Sequence, residues 1–184
     1  MTGPHPGAAG PDAANGRKLT GVLLGIYLAM LVAVVLFKLP FYSPGLVGER
    51  VVNLIPLQGS FDASGGISWR EVGYNVALFA PLGAYTSMMT HWTAARRVFL
   101  VAGVSILFEV AQYAFGLGVA DVTDVLANTL GGAIGTGAHA LLQRGLKPHT
   151  ARIENLIASI LTLWAATRFI YLAYLSHLAM QSTP

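Results

Sequence analysis

Cysteine is absent from the sequence, and charged residues make up only 10% of its 184 residues. Without cysteine, the chain can form neither a disulfide framework nor a thiolate metal site. A soluble domain carries roughly 25% charged residues, so this chain has too few charges to cover a water-facing surface. The basic side chains form no patch on a soluble face, and nucleic acid is therefore not expected as a partner.

Long apolar runs are abundant instead. Hydrophobic residues account for 54% of the chain, and the mean hydropathy is +0.61. The runs are about 20 residues long, which is the length of a membrane-spanning helix and about twice that of a membrane strand. Because lipid offers no hydrogen-bond partners, spanning segments must satisfy their own backbone groups. We therefore predict an all-α, polytopic integral membrane bundle of about five transmembrane helices.

Segments rich in turn-forming residues separate the expected helices. Residues 1–16 are rich in Gly, Pro and Ala and predict a disordered tail. Residues 17–44 hold the first helix and a linker, and residues 144–184 hold an inner loop and the fifth helix. An apolar stretch at residues 51–57 is too short to span and is expected at the interface or folded back into the bundle. The five predicted helices run from Leu19 to Phe37, Val72 to Thr90, Arg97 to Leu117, Asp121 to about Leu142, and about Asn155 to Leu175.

The distribution of basic residues predicts the orientation of the bundle. With the N-terminus inside, the cytoplasmic side has more than twice as many lysines and arginines as the outer side, as the positive-inside rule requires. An odd number of helices then places the C-terminus outside. The inner set is Arg17, Lys18, Arg96, Arg97, Arg144, Lys147 and Arg152, and the outer set is Lys38, Arg50 and Arg70.

Polar side chains inside the predicted spans fall in one layer of the outer leaflet. With a rise of about 1.5 Å per residue, Glu109 lies about 12 Å below the outer end of its helix and Asp124 about 5 Å below that of the next. Ionisable residues at such depths usually face a bundle interior or a functional path. We predict that this layer forms one polar pocket. The candidate binding residues are Asn53, Asn75, Glu109, Gln112, Asp121, Asp124, Asn128 and Arg168.

Several of these residues also have a purely structural interpretation. Asp121 is well placed to cap the fourth helix. The amides of Asn75, Gln112 and Asn128 could serve only as hydrogen bonds between helices, and Glu109 with Arg168 could be a buried structural ion pair. Gly131 and Gly135 form a G-x-x-x-G pair that continues the polar face of the fourth helix, and they predict close packing between helices three and four.

Four short motifs together resemble the VanZ-like family. They are Asn53-Leu54-Ile55-Pro56, then Asn75 with Leu78 to Gly83, then Glu109-x-x-Gln112, and finally Asp121-x-x-Asp124-x-x-x-Asn128 followed by Gly131. The resemblance covers about residues 45–143, which we take as a VanZ-like membrane domain. That family is named for a teicoplanin-resistance accessory protein. The resemblance implies a bacterial, multi-pass protein of the inner (plasma) membrane that is linked to the cell envelope.

One departure from the family pattern concerns the turn before Asp121. The family pattern implies an arginine near this turn, where the present chain reads Gly-Leu-Gly-Val-Ala. If that arginine binds an anionic group, Arg168 or Arg70 would have to take its place here.

Three kinds of function are open on the sequence alone. The leading one is an accessory role in which the pocket binds a membrane lipid, a lipid-linked envelope precursor or a lipophilic antibiotic, with no catalytic residues and no cofactor. The second is an enzyme acting on a lipid headgroup or phosphate, in which the three carboxylates hold a divalent cation such as Mg²⁺ or Ca²⁺. The third is proton-coupled transport through Glu109. Many transporters are built from internal repeats, and the five predicted helices contain none, which disfavours this function.

Overall fold

The computed structural model describes residues 11–37, 50–57, 69–117, 119–146 and 149–181. Within these ranges the chain forms five α-helices and one pair of very short strands, which confirms the predicted all-α class. In chain order the elements are α1 (Pro11–Phe37), β1 (Val52–Asn53), α2 (Trp69–Met89), α3 (Ala94–Phe115), β2 (Ala120–Asp121), α4 (Val122–Leu146) and α5 (Thr150–Gln181).

The helices at the two ends of the chain begin earlier than predicted. α1 begins at Pro11, so residues 11–16 are helical and do not belong to a disordered tail; residues 1–10 lie outside the described ranges. Proline suits the first position of a helix because its missing N–H has no partner to lose there. The carbonyl of Gly16 also accepts a hydrogen bond from Nδ2 of Asn155 at 3.2 Å. This contact ties the first turns of α1 to those of α5, which begins at Thr150 rather than near residue 155.

The segment that precedes α2 pairs with the turn between α3 and α4. Gly116 ends α3 in the left-handed conformation (φ 62°), and its N–H bonds the carbonyls of Gln112 and Tyr113. The chain then forms β2, which pairs in parallel with β1, and the N–H of Ala120 donates to the carbonyl of Val51 at 2.9 Å. Residues 50–57 are thus folded back onto the start of α4, which is one of the two placements that the sequence predicted.

Polar groups lie inside the bundle and apolar groups lie outside it. Among the described residues fourteen buried side chains are polar or charged and seven are hydrophobic, whereas the large apolar side chains of Phe99, Leu107 and Leu163 are at least two-thirds exposed. A small core of Leu31, Phe79, Leu82 and Val101 joins α1, α2 and α3. A protein in water buries mainly apolar side chains and exposes mainly polar ones. Buried polar and exposed apolar side chains suit helices that face lipid.

Gly131 and Gly135 of α4 pack against α2, not α3. A Cβ added to Gly131 or Gly135 would overlap the backbone carbonyl oxygen of Val76 or Ala80, both in α2. Gly132 faces α3 instead, where a Cβ would lie 2.6 Å from a methyl group of Val101. The prediction that the G-x-x-x-G pair packs on helix three is therefore wrong. Since α4 contacts both neighbours and successive residues are about 100° apart on a helix, adjacent glycines meet different partners.

Two described helical segments are long and apolar enough to cross a membrane by length and composition. They are Asn15–Leu36 and Ala94–Phe115, each of 22 residues. α4 is less apolar because it carries Asn128, Thr136 and His139, but all three side chains are buried inside the bundle. The count of five spans and their orientation remain predictions.

Candidate functional site

Three predicted site residues meet at the turn between α3 and α4. Nδ2 of Asn53 donates to Oδ2 of Asp121 at 2.9 Å, and the backbone N–H of Asp121 donates to Oε2 of Glu109 at 2.9 Å. Thr123 joins them, since its backbone N–H donates to Oδ1 of Asp121 at 2.7 Å. We call Asn53, Glu109, Asp121 and Thr123 the α3–α4 network.

Asp121 organises the α3–α4 network. Its Oδ1 accepts the N–H of Thr123 immediately before α4, which confirms the predicted capping role. Its Oδ2 holds the side chain of Asn53, and Oδ1 of Asn53 in turn accepts the N–H of Ile55 at 3.2 Å. One carboxylate therefore both starts α4 and fixes the folded-back segment.

The folded-back segment ends in a strained residue. Leu57 has a φ of 69°, which non-glycine residues adopt rarely, and its N–H donates to Oγ1 of Thr123 at 2.8 Å. Such a conformation persists only where surrounding contacts hold it, and it often accompanies functional segments. The α3–α4 network supplies those contacts.

Glu109 faces the bundle interior, as its predicted role requires. Its side chain is only 7% exposed, and it shares the buried face of α3 with Val101, Ser105 and Gln112. Because Gly116 ends α3 about two turns later, the chain folds back and brings the amide of Asp121 to the carboxylate of Glu109. A lipid-facing Glu109 would have excluded the predicted pocket, and the structure excludes that placement.

The other described site residues each join a different pair of helices. These contacts agree with the structural interpretation that the amides connect neighbouring helices. Nδ2 of Asn75 donates to Oδ1 of Asp124 at 2.5 Å (α2 to α4), Nδ2 of Asn128 to Oγ of Ser105 at 2.8 Å (α4 to α3), and Nε2 of Gln112 to the carbonyl of Val35 at 2.9 Å (α3 to α1).

Two of these amides keep a free acceptor. Oε1 of Gln112 and Oδ1 of Asn128 are buried, and neither has a hydrogen-bond partner among the described residues. Buried acceptors without partners are uncommon and destabilising, so each is a place where the donor of a bound molecule would be favourable.

The residues that build this site coincide with a region shared with known proteins. A family model described as VanZ/LLP1 matches residues 24–143. The chain belongs to this family. Protein VanZ of Enterococcus faecium is 34% identical over 129 residues, which cover 68% of this chain and 76% of that protein. No solved structure matches the chain.

The resemblance inferred from the four motifs is confirmed, and membership of this family supports an antibiotic-resistance-like accessory role. The matched region begins inside α1 and ends inside α4, and it contains every predicted site residue except Arg168. The side chain of Arg168 lies outside the part of the chain that the structure describes, so its pairing with Glu109 remains a prediction.

The described acidic residues of the VanZ/LLP1 region do not form a cluster suited to a metal. Within the described ranges, no three His, Cys, Asp or Glu side chains are grouped so that they could hold an ion. The carboxylates of Glu109 and Asp121 instead accept backbone N–H groups, and that of Asp124 accepts the amide of Asn75. No observation on these residues favours the enzymatic alternative.

A second buried polar site, between α4 and α5, was missed by the sequence interpretation. Nδ1 of His139 lies 2.7 Å from Oε1 of Glu154, and both side chains are 7% exposed. Nearby, Oγ1 of Thr20 lies 2.8 Å from Oδ1 of Asn155, joining α1 to α5. The position of His139 could have indicated this site, because His139 follows Gly135 by one helical turn on the packed face of α4. Glu154 had been assigned to a loop.

Proposed function

We propose that this VanZ/LLP1-family chain is a multi-pass protein of the bacterial inner (plasma) membrane with an accessory role in antibiotic resistance. It binds an envelope lipid, a lipid-linked precursor or a lipophilic antibiotic at the α3–α4 network, in the outer leaflet. The observation that carries this proposal is the position of the folded-back segment. Its polar groups bond to the α3–α4 network, and its apolar side chains are exposed.

The chemistry of this segment suits an amphiphilic ligand. Leu54 is 74% exposed and Ile55 is 60% exposed, and both flank the residue pair Asn53–Asp121. A ligand with a polar head and an apolar tail can contact the network and the apolar side chains together, as amphipathic groups do at a membrane interface.

Photo-crosslinking tests this binding site. A photoreactive amino acid replacing Leu54 should form adducts with teicoplanin or with a lipid-linked peptidoglycan precursor added to membranes that contain the protein. The control position is Phe99, which is equally exposed but lies ten residues before Glu109 on α3, about 15 Å away along the helix. The yield of adducts is expected to be several-fold higher at position 54 than at position 99. Equal labelling of both positions would show only partitioning of the probe into lipid and would contradict the proposal.

Reporter fusions test the orientation that the proposal requires. Fusions at Trp92, in the connection after α2, and at Thr150, the first residue of α5, should report the cytoplasm. A fusion at Pro184 should report the exterior, because the basic residues predict an N-terminus inside and five spans. Alkaline phosphatase activity and green fluorescent protein fluorescence give opposite readouts for the two sides. If positions 150 and 184 report the same side, α5 does not span the membrane.

A further inference from the structure

A polar cavity of about 830 Å³ lies at the end of the bundle opposite the α3–α4 network. Its walls are the first turns of α1, the last turns of α4 and the first turns of α5. The hydrogen bonds of Asn155 to Thr20 and to the carbonyl of Gly16 fix the α1 and α5 walls, and Oγ1 of Thr150 lies 3.3 Å from the carbonyl of Leu142 in α4. Hydrogen bonds therefore hold the ends of α1, α4 and α5 together around the cavity.

The charge of this cavity is positive. Arg17 and Arg152 line it, and both are exposed to what enters it. Glu154 also lines it, and its carboxyl group contacts the imidazole of His139. Glu154 is the one acidic residue of the described lining, so the two arginines outnumber it and favour an anionic group.

An apolar groove of about 700 Å³ opens from the same place. It lies between α1, α2, α4 and α5 and follows α2 from Tyr74 to Met88, a length of about 21 Å at 1.5 Å per residue. One leaflet of a bilayer contributes about 15 Å of hydrocarbon, so the groove is long enough for one acyl chain. Met88, His139 and Glu154 line both the groove and the cavity, so the two spaces adjoin each other.

We infer that the cavity and the groove together bind one anionic phospholipid, with its phosphate at Arg17 and Arg152 and one acyl chain in the groove. The charge is confined to one end of an otherwise apolar groove, which is the layout of a phospholipid. A second copy of the chain fits less well, because this end also carries Lys18 and Arg144, and a parallel copy would bring like charges together. With the orientation proposed above, the lipid belongs to the cytoplasmic leaflet, where anionic lipids attract basic residues.

The inference is tested by lipid retention on the purified, full-length protein in detergent. Native mass spectrometry would compare phosphatidylglycerol with phosphatidylcholine of the same acyl chains. In the double variant Arg17→Gln/Arg152→Gln, the affinity for phosphatidylglycerol should fall by about tenfold or more, and that for phosphatidylcholine should fall less, because its choline group offsets the charge of its phosphate. The matched control is Arg96→Gln/Arg144→Gln, which removes the same charge from exposed positions outside the cavity and should leave both affinities unchanged.

The groove is tested by filling it. Ala158 is half-buried and lines the groove on α5, so Ala158→Phe should weaken both phospholipids alike, because both place an acyl chain there. Ala140→Phe, at an exposed position of α4 outside the lining, is its control. Thermal unfolding without added lipid establishes that each variant is folded, and Arg17→Lys/Arg152→Lys should restore the preference for phosphatidylglycerol.

Three results would overturn the inference. They are an unchanged phosphatidylglycerol affinity in the double arginine variant, an equal loss in its control, and displacement of the lipid by millimolar inorganic phosphate, which would indicate a site for free phosphate. None of these measurements involves teicoplanin or the α3–α4 network. The inner lipid site and the outer ligand site can therefore fail independently of each other.

Discussion

Replacement of Gly135 by alanine should cause severe loss of folded protein. A Cβ at this position would overlap the carbonyl oxygen of Ala80 and lie 2.8 Å from its carbonyl carbon. Both atoms belong to the backbone of α2, so neither can move aside without separating the helices. Overpacking costs typically 1–3 kcal/mol and occasionally more, and a backbone obstacle places this variant at about 3 kcal/mol or above. The midpoint of thermal unfolding in detergent measures the effect.

The chain offers a matched control two residues further along α4. Gly137 is exposed, and a Cβ there would meet no heavy atom within 4 Å. Gly137→Ala should therefore be neutral or stabilising by about 0.4–1 kcal/mol, because alanine restricts the unfolded chain more than glycine does. Equal destabilisation by the two substitutions would contradict the backbone contact between α2 and α4, because a Cβ at Gly137 has no neighbour to overlap.

The sequence predicted the close-packing glycines but not their partner. A pair of small residues four apart permits any helix to approach, and nothing in the pair specifies which one. The short connection after Gly116 made α3 the expected neighbour of α4. The structure places α4 against both α2 and α3, so that Gly131 and Gly135 meet one helix while Gly132 meets the other. The contact with α2 is formed across more than 45 residues of sequence, and it could not be inferred from local spacing.

The candidate site shows the same division between local and distant information. The helical spacing correctly predicted that Glu109 and Gln112 share a buried face, and the position of Asp121 correctly predicted its capping role. These inferences need only the geometry of one helix. The contact between Asn53 and Asp121, by contrast, joins residues 68 positions apart through a short parallel strand pair. Its residues carry no periodic pattern long enough to predict such a pairing.

The sequence also did not predict that the buried polar residues form two separate sites. The predicted fifth helix begins at about Asn155 and therefore leaves Glu154 outside it. α5 in fact begins at Thr150, and that earlier start brings Glu154 to within 2.7 Å of His139. A shift of about one helical turn in a predicted boundary was enough to conceal the contact.

Glu109→Gln should abolish resistance while leaving the fold intact. Glutamine has the shape of glutamate, and its Oε1 can still accept the N–H of Asp121, which Oε2 of Glu109 accepts at 2.9 Å. The substitution removes the charge of a side chain that is 7% exposed and held beside the start of α4. If that charge orients the ligand, a teicoplanin-susceptible host that gains resistance from the wild-type chain should return to the vector-only inhibitory concentration. Thermal unfolding of the purified variant should stay close to that of the wild type.

Two further substitutions distinguish the role of the charge from that of the hydrogen bond. Glu109→Ala removes both, and the loss of a charge-assisted bond to the N–H of Asp121 should destabilise the protein by about 1.5–3 kcal/mol. Glu71→Gln removes an equal charge from an exposed carboxylate in the first turn of α2 and should leave both resistance and stability unchanged. Full resistance in a well-expressed Glu109→Gln variant would reduce Glu109 to a structural acceptor for the start of α4. Ligand binding at the α3–α4 network would then not depend on the charge of Glu109.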